Sequence, residues 1–245
     1  MRATIYVIPG STSSMAGRLM LEHKGISYRR RDLVAVVSRP ILRLVGFDGN
    51  TVPAIKLDGE RLQGTTTISR ALDELVPEPP LFPTNPERRT AVERAEAWGD
   101  EVLQPVPRRL AWAALSRDRS GVRSFIEGAH LGIPTGLAAR TSAPMIARAK
   151  RIYGVTDDVV RADLEALPGM LGRVDELIGE GVIGGAERNA ADYQIATCVR
   201  LLLVFDDLRE AIEGRPAGSL AHDVVPDFPG RVPPAFPADW LIGAS

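Results

Sequence analysis

The sequence predicts a two-domain protein, in which a small α/β domain is followed by an all-helical domain. Strand-like and helix-like runs interleave before residue 77, whereas the pattern afterwards is helical almost throughout. A proline-rich stretch, Pro77 to Pro83, cannot continue a helix and separates the two halves. The predicted boundaries are 1–77 for the first domain, 78–86 for the linker, 87–215 for the helical domain and 216–245 for a proline-rich tail.

The first domain begins with a strand, a helix and a second strand. Pro9-Gly10 ends the first strand, and Lys24-Gly25 ends the helix, because glycine suits the left-handed position after a helix. The connection between the two strands should be right-handed. The predicted elements are a strand at 4–8, a helix starting in the hydroxyl cluster 11–14, a strand at 27–34 and a short helix at 38–44.

The segment from Val52 to Ile68 contains a strand, a hairpin and the start of a helix. Ala54 to Leu57 alternates inward and outward residues, and Asp58-Gly59 is a strong hairpin signal. A helix then begins within Thr65 to Thr67. Its apolar stripe has the spacing of an amphipathic helix and consists of Ile68, Leu72, Leu75 and Val76.

The segment from Val52 to Ile68 also has backbone features that suit the binding of a ligand. An X-Pro bond is the linkage at which a cis peptide is least costly, so Val52-Pro53 is a place where a cis bond can turn a backbone edge toward an extended ligand. The start of the next helix leaves unpaired N–H groups, which attract carboxylates.

The second half is predicted to be helical. Asn85-Pro86-Glu87 is a strong helix start, and Asn189 with Asp192 has the spacing of a reciprocal cap. In the tail, large apolar residues favour a strap docked on the helical domain over a flexible end; they are Phe228, Phe236 and Trp240. The predicted helices are 86–104, 106–117, 119–151 with a break near 132–134, 157–179 and 189–208.

Composition excludes several classes of function. A formal net charge of −1 gives no electrostatic reason to expect nucleic acid or an anionic membrane as a partner. No apolar run reaches membrane-spanning length, and residues 1–8 are expected to form a strand rather than a signal peptide. The single cysteine, Cys198, excludes an internal disulfide and a cysteine-based zinc site, and we expect it to pack in the core. The sequence therefore predicts a soluble, cytoplasmic protein.

The segment from Val52 to Ile68 resembles the corresponding segment of the glutathione transferase family, and the spacing of its residues fits without a gap. The shared features are the Val-Pro-x-hydrophobic strand, the Asp-Gly hairpin and a hydroxyl residue, Thr65, at the start of the next helix. The resemblance implies a thioredoxin-like first domain, an all-helical second domain, glutathione as cosubstrate, no metal and a homodimer.

The resemblance also implies roles for single residues. The family turn predicts a cis Val52-Pro53 bond, which would present the backbone of Val52 to the cysteinyl part of glutathione. Thr65 would hold the γ-glutamyl carboxylate. Gly64 departs from the family, which usually has Glu, Asp or Gln at this position. The side chain that helps to fix the substrate amine is therefore missing.

Thiol activation is expected at the hydroxyl cluster. A thiol has a pKa of about 8.5, and lowering it takes hydrogen-bond donors and the positive end of a helix dipole. By the resemblance, Ser11 donates to the bound thiolate, with Ser13 or Ser14 as substitutes. Capping of the helix is the alternative, which we favour for Ser13 and Ser14. Tyr6 in the first strand is a further candidate donor, although a tyrosine in a strand is more often a wall of the core.

The resemblance places a pocket for a second substrate on the first helices of the helical domain. Its expected lining residues are Arg108, Arg109, Trp112, His130, Met145 and Tyr153. His23, in the last turn of the first helix, is expected to be structural because a cation there complements the helix dipole.

The predicted function is a glutathione-transferase-like enzyme that activates a bound thiol for attack on a small apolar electrophile. Its predicted partners are therefore a small-molecule thiol and an electrophile. Two alternatives stay open. One is a non-catalytic member that binds an apolar ligand or a protein partner between the domains, and the other is an enzyme that uses a different low-molecular-weight thiol.

Overall fold

The structure is a computed structural model, which describes residues 2–35, 37–132 and 134–241. A four-stranded sheet has the order β2-β1-β3-β4, with β1 parallel to β2 and antiparallel to β3. The strands are β1 (Ala3–Val7), β2 (Tyr28–Asp32), β3 (Ala54–Leu57) and β4 (Glu60–Gln63). The helices are α1 (Thr12–His23), α2 (Ser38–Leu44), α3 (Thr65–Leu75), α4 (Pro86–Trp98), α5 (Pro105–Arg117), α6 (Val122–Ile126), α7 (Thr135–Arg140), α8 (Ala143–Ile152), α9 (Asp157–Gly179), α10 (Ala190–Leu202), α11 (Arg209–Glu213) and α12 (Pro216–Val224).

The first domain is the predicted α/β unit. The turn between β3 and β4 is the expected Asp-Gly hairpin, with Asp58 and Gly59 at φ values of 45° and 103°. Helices α1 and α3 pack together, and the apolar residues of β1 face the main core. Gly17 of α1 lies so close to Pro53 that an added Cβ would be 2.9 Å from its Cγ. The close approach fixes α1 against the segment that precedes β3.

One prediction for α3 is wrong. Ile68 and Leu72 are fully buried, as expected, but Leu75 is 50% exposed. Leu75 is the last residue of α3, so it lies at the end of the buried face, where the chain leaves the helix.

The helical domain is built around α10. Every residue of this helix except Arg200 is buried. The predicted cap is confirmed: the Asn189 side chain accepts from the N–H of Asp192 at 3.2 Å, and the Asp192 carboxylate accepts from the N–H of Asn189 at 2.9 Å. The cap satisfies N–H groups that would otherwise be buried without partners. Helix α9 has the predicted bounds and continues through Pro168.

Three of the predicted helices differ from the structure. The predicted helix at 119–151 is divided into α6, α7 and α8, and residues 127–132 after α6 are not helical, with Gly128 at a φ of 72°. The predicted helix at 86–104 becomes α4 followed by a π-helical turn over Gly99–Leu103. Helix α10 ends at Leu202 rather than at 208, because Phe205 forms a β-bridge with Val232 of the tail.

The described part of the tail packs on the helical domain. Its first residues form α12, and the chain then returns across α10. The Phe236 ring stacks on Phe205 with centroids 6.0 Å apart, and the Asp207 carboxylate accepts from the N–H groups of Ala235 and Phe236. The end of the predicted tail, 242–245, lies outside the described residues. The boundaries between the domains stay a prediction.

Buried polar groups join α3 to α4. Glu96 of α4 has no exposed surface, and it accepts hydrogen bonds from the Ser69 hydroxyl at 2.6 Å and from the Arg70 guanidinium at 2.5 Å. Burial raises the pKa of Glu96, whereas the bonds from Ser69 and Arg70 lower it. Helix α3 follows the sheet and α4 begins the helical half, so this contact connects the two domains.

A second polar contact connects α1 to α10 and the linker. His23 Nε2 lies 3.2 Å from the carbonyl oxygen of Pro80, and Nδ1 lies 2.9 Å from the Tyr193 hydroxyl. A carbonyl can only accept, so Nε2 carries the proton and Nδ1 accepts from Tyr193. Burial lowers the pKa of His23. His23 is thus structural, as expected, but as a neutral link between the domains rather than as a cation at the helix end.

In the described part of the chain, no helix combines the length and the apolar character that crossing a membrane requires.

The Glu96 contact is tested by comparing Glu96→Ala with Glu93→Ala on the same helix. Loss of Glu96 leaves Ser69 and the partly exposed Arg70 without their partner and should lower the free energy of unfolding by about 2–4 kcal/mol. Glu93 forms an exposed pair with Arg89, so its loss should cost only about 0.2–0.5 kcal/mol. Urea denaturation measures both values, and equal losses would contradict the assignment.

Candidate functional site

A cavity of about 350 Å³ lies where the N-terminus of α1 faces α5 and α8. One wall comes from the first domain and includes Ser11, Ser13 and Val52. The opposite wall comes from the helical domain and is largely apolar, with Ala111, Trp112, Leu115 and Met145. The arrangement brings a polar helix start face to face with an apolar surface.

Ser11 lines this cavity as the N-cap residue of α1. Its Oγ accepts a hydrogen bond from the N–H of Ser14 at 3.3 Å. The capping role that the sequence suggested for Ser13 and Ser14 therefore belongs to Ser11. A hydroxyl that accepts from the backbone keeps its own hydrogen, so Ser11 can still donate to a ligand. The first turn of α1 adds the positive end of the helix dipole at the same point.

The other candidate donors differ in their surroundings. Ser13 lines the cavity, whereas Ser14 is buried and its Oγ accepts from the N–H of Ile8 at 3.1 Å. The Tyr6 ring packs edge-on against Phe47, with centroids 5.7 Å apart, and belongs to a core cluster with Leu42. Tyr6 is not among the described residues that line the cavity.

The Val52–Pro53 peptide bond is cis, as predicted. Val52 lines the cavity, and Pro53 is buried behind it against α1. Among the described residues, neither the N–H nor the carbonyl of Val52 forms a hydrogen bond with another part of the backbone. These groups are therefore free to bind an extended ligand.

Gly64 has a φ of 87° and a ψ of 145°, a backbone conformation that residues with a side chain rarely adopt. An added Cβ would have open space around it, so the restriction is in the backbone alone. The position therefore favours glycine for a conformational reason that the sequence did not reveal.

Thr65 lies in a different environment from the expected one. It is buried, and its Oγ1 is 3.4 Å from the Asp100 carboxylate, which also accepts from Gln194 Nε2 at 3.2 Å. Burial raises the pKa of Asp100, and the bond from Thr65 lowers it. The Thr65 hydroxyl is thus engaged with a carboxylate of the protein. A second carboxylate bound at this hydroxyl would face Asp100.

The structure brings together only part of the predicted second-substrate pocket. Arg108, Trp112, Met145 and Tyr153 line the cavity. Arg109 does not; its guanidinium forms two hydrogen bonds with Asp163.

His130 was also expected in this pocket, but it is not among the described residues that line the cavity. It lies in the loop after α6 rather than in a helix, and its side chain is 93% exposed. Its backbone N–H donates to the Asp32 carboxylate at 2.8 Å, whereas the next residue of the loop, Leu131, lines the cavity.

Comparison with known proteins identifies the first domain. Residues 5–80 match the family described as glutathione S-transferase, N-terminal domain. The first domain is therefore similar to the N-terminal domain of that family. A search of the curated proteins finds no match to this chain.

Solved structures extend the likeness in fold to the whole chain. A glutathione S-transferase from Rhodospirillum rubrum F11 is 18% identical, with a TM-score of 0.61 over 91% of this chain and 87% of that chain. FzlA from C. crescentus is 18% identical, with a TM-score of 0.62 over 96% and 97% of the two chains. Maleylacetoacetate isomerase from Anaeromyxobacter dehalogenans 2CP-1, with dicarboxyethyl glutathione and citrate bound in its active site, is 15% identical, with a TM-score of 0.54 over 91% and 89%. The chain therefore has the glutathione S-transferase fold, a thioredoxin-like domain followed by a helical domain.

Sequence reasoning missed Asp100 and Gln194. Both belong to helical segments of the second domain. Thr65 contacts Asp100, 35 positions away, and Gln194 contacts Asp100, 94 positions away. Asp100 follows the buried Glu96 by one helical turn, so both carboxylates face α3. This spacing indicates a role for Asp100 only once the contact of Glu96 with α3 is known.

The backbone restriction at Gly64 is tested by Gly64→Ala. The substitution should lower the free energy of unfolding by roughly 1–3 kcal/mol, because the residue must hold a conformation that is nearly exclusive to glycine. Gly169→Ala, at an open and exposed position inside α9, is the matched control and should raise stability by about 0.5–1 kcal/mol. Equal shifts of the two thermal midpoints would show that the Gly64 backbone is not restrictive.

Proposed function

We propose that the protein is a glutathione-transferase-like enzyme that activates a bound thiol at Ser11 for attack on a small electrophile. The observation that carries the proposal is the position of Ser11, at the N-terminus of α1 and across the cavity from an apolar wall. The structural likeness to an isomerase that holds a glutathione derivative supports the choice of thiol. A homodimer, which the family resemblance implies, and a cytoplasmic location, which the composition predicts, belong to the same proposal.

The mechanism follows from the two walls. The Ser11 hydroxyl donates to the sulfur, and the dipole of α1 favours negative charge there, so the thiol loses its proton more readily. The sulfur then forms a bond to an electrophilic carbon held on the apolar wall. It either displaces a leaving group or adds to a double bond, which takes up a proton.

The extended thiol ligand would lie along Val52. The N–H and carbonyl of this residue are free, and they would pair with the peptide groups beside the cysteine of glutathione. The γ-glutamyl end would then reach the start of α3, where Gly64 offers no side chain.

Asp100 takes the place of the missing acceptor in this proposal. Its carboxylate lies beside Thr65 and accepts hydrogen bonds at one oxygen, Oδ1, from Thr65 and Gln194. An ammonium group is therefore the part of a γ-glutamyl residue that suits Asp100, while the N–H groups at the start of α3 suit its carboxylate. The absence of an acidic residue at Gly64 then does not require a thiol other than glutathione.

A non-catalytic protein with a ligand in the cavity is the second candidate. It is favoured by the apolar character of the helical wall, which holds a ligand whether or not a thiol is activated. The substitutions below separate the two candidates, since only catalysis depends on a donor at Ser11.

Thiol activation is tested with Ser11→Gly, Ser11→Ala and Ser13→Ala. Loss of the oriented donor should raise the pKa of the bound thiol and reduce turnover roughly 10-fold to 1,000-fold. Ser11→Ala also removes the helix cap, at about 1 kcal/mol, whereas glycine at an N-cap costs only a few tenths, so Ser11→Gly separates catalysis from stability. Spectroscopic titration of the bound thiol and steady-state kinetics measure both effects. Full activity in Ser11→Gly, or an equal loss in Ser13→Ala, would contradict the role of Ser11.

The role of Asp100 is tested with Asp100→Asn. Asparagine still accepts from Thr65 and Gln194, so the fold should be retained while the charge is lost. Affinity for glutathione should fall roughly 5-fold to 10-fold, the difference between a charged and a neutral hydrogen bond. Affinity for the analogue that lacks the γ-glutamyl amine should not change. Calorimetry compares the two ligands, and an equal loss for both would show that Asp100 has only a structural role.

A further inference from the structure

Arg108 is a partly buried cation that forms no ion pair with a described residue. Burial lowers its pKa, which the Asp100 carboxylate raises only from beyond ion-pair distance. It lies on α5 in the wall of the cavity, and its guanidinium stacks on the Tyr153 ring at 4.4 Å from the centroid. Its Nε is buried and has no hydrogen-bond partner. None of the ion pairs between described residues includes Arg108.

The neighbouring arginine shows the contrast. Arg109 is paired with Asp163 through two hydrogen bonds, so one of two adjacent arginines has a carboxylate and the other has an aromatic ring. Leaving a buried charge unpaired costs free energy. Burial accordingly lowers the pKa of Arg108. An arginine in this state is well suited to bind a carboxylate through its planar fork of donors.

The charged side chains in the described lining of the cavity are all positive. The described lining contains Arg39, Arg108 and Arg148 and no Asp or Glu. Arg39 and Arg148 are exposed, so they lie at the rim, whereas Arg108 is partly buried. The surface beside Arg108 is apolar and includes Trp112, Leu115 and Met145. A cation set in an apolar wall matches an anion attached to an apolar body.

We propose that the cavity binds an amphipathic carboxylate, with its apolar body against Trp112 and Met145 and its carboxylate on Arg108. The cavity volume of about 350 Å³ suits a ligand of one aromatic ring and a short chain. The claim that this ligand is the electrophilic substrate rests on the proposed function. The claim that the ligand binds at Arg108 is independent of it, because Arg108 belongs to the wall opposite the proposed thiol site.

The test uses phenylbutyrate, its neutral amide phenylbutyramide and the cationic phenylbutylamine, titrated by calorimetry into the full-length protein without thiol. The wild type should bind the carboxylate on the order of 10-fold to 100-fold more tightly than the amide and should bind the amine most weakly. Arg108→Met should remove the preference for the carboxylate. Arg108→Lys, which keeps the charge but not the planar fork, should give an intermediate preference.

Control variants separate Arg108 from general charge. Arg39→Gln and Arg148→Gln should reduce the preference by no more than about 3-fold, since exposed charges interact weakly in water. Arg94→Gln, an exposed arginine on α4 outside the cavity, should leave it unchanged. Arg108→Met should also unfold at the same or a higher temperature than the wild type, because it removes an unpaired buried charge.

Three results would overturn the proposal. The first is a wild type that does not bind the carboxylate more tightly than the amide, and the second is a preference that survives in Arg108→Met. The third is loss of carboxylate binding in saturating S-methylglutathione, which would place the anion in the thiol site. A protein that prefers the carboxylate through Arg108 but shows no thiol-dependent turnover would refute the proposed function alone.

Discussion

The cavity depends on a buried carboxylate at the contact between the two domains. Glu96 has no exposed surface, and its hydrogen bonds come from Ser69 and Arg70 of α3. A carboxylate in this position is tolerated only while those donors stay in place, because burial of an unpaired charge is costly. The contact therefore helps to hold the helical domain in the orientation that places Ser11 opposite the apolar wall.

A second contact of the same kind lies beside the first, at the proposed thiol site. Thr65 and Ser69 lie one turn apart on α3, and Glu96 and Asp100 lie one turn apart across from them. Ser69 pairs with Glu96 and Thr65 pairs with Asp100, so two hydrogen bonds run between the helices in opposite chain order. The first bond is buried and joins the domains. The second lies at the start of α3, where the proposed function uses its carboxylate to bind a ligand amine.

The features that the sequence predicted are local. The Asp58-Gly59 hairpin, the Asn85 cap and the reciprocal cap of Asn189 and Asp192 each depend on residues within a few positions of one another. The errors arose where distant parts of the chain meet. His130 is held by Asp32, 98 positions away, and no local pattern indicates that contact. In the candidate site, Ser11, Val52, Arg108 and Trp112 were predicted, whereas Asp100 was not, because its partner Thr65 lies on the other domain.

The electrostatics of the cavity connect the proposed thiol chemistry to the choice of substrate. In the two proposals, Ser11 and the start of α1 stabilise a thiolate on one wall, and Arg108 binds a carboxylate on the other. Two anions that approach in an apolar cavity repel each other unless positive charge lies beside each of them. Arg108 supplies that charge on the substrate side, in a lining whose described residues include no acid. A neutral electrophile would need no such residue, since the apolar wall alone would hold it, and the unpaired arginine would then cost stability without assisting binding.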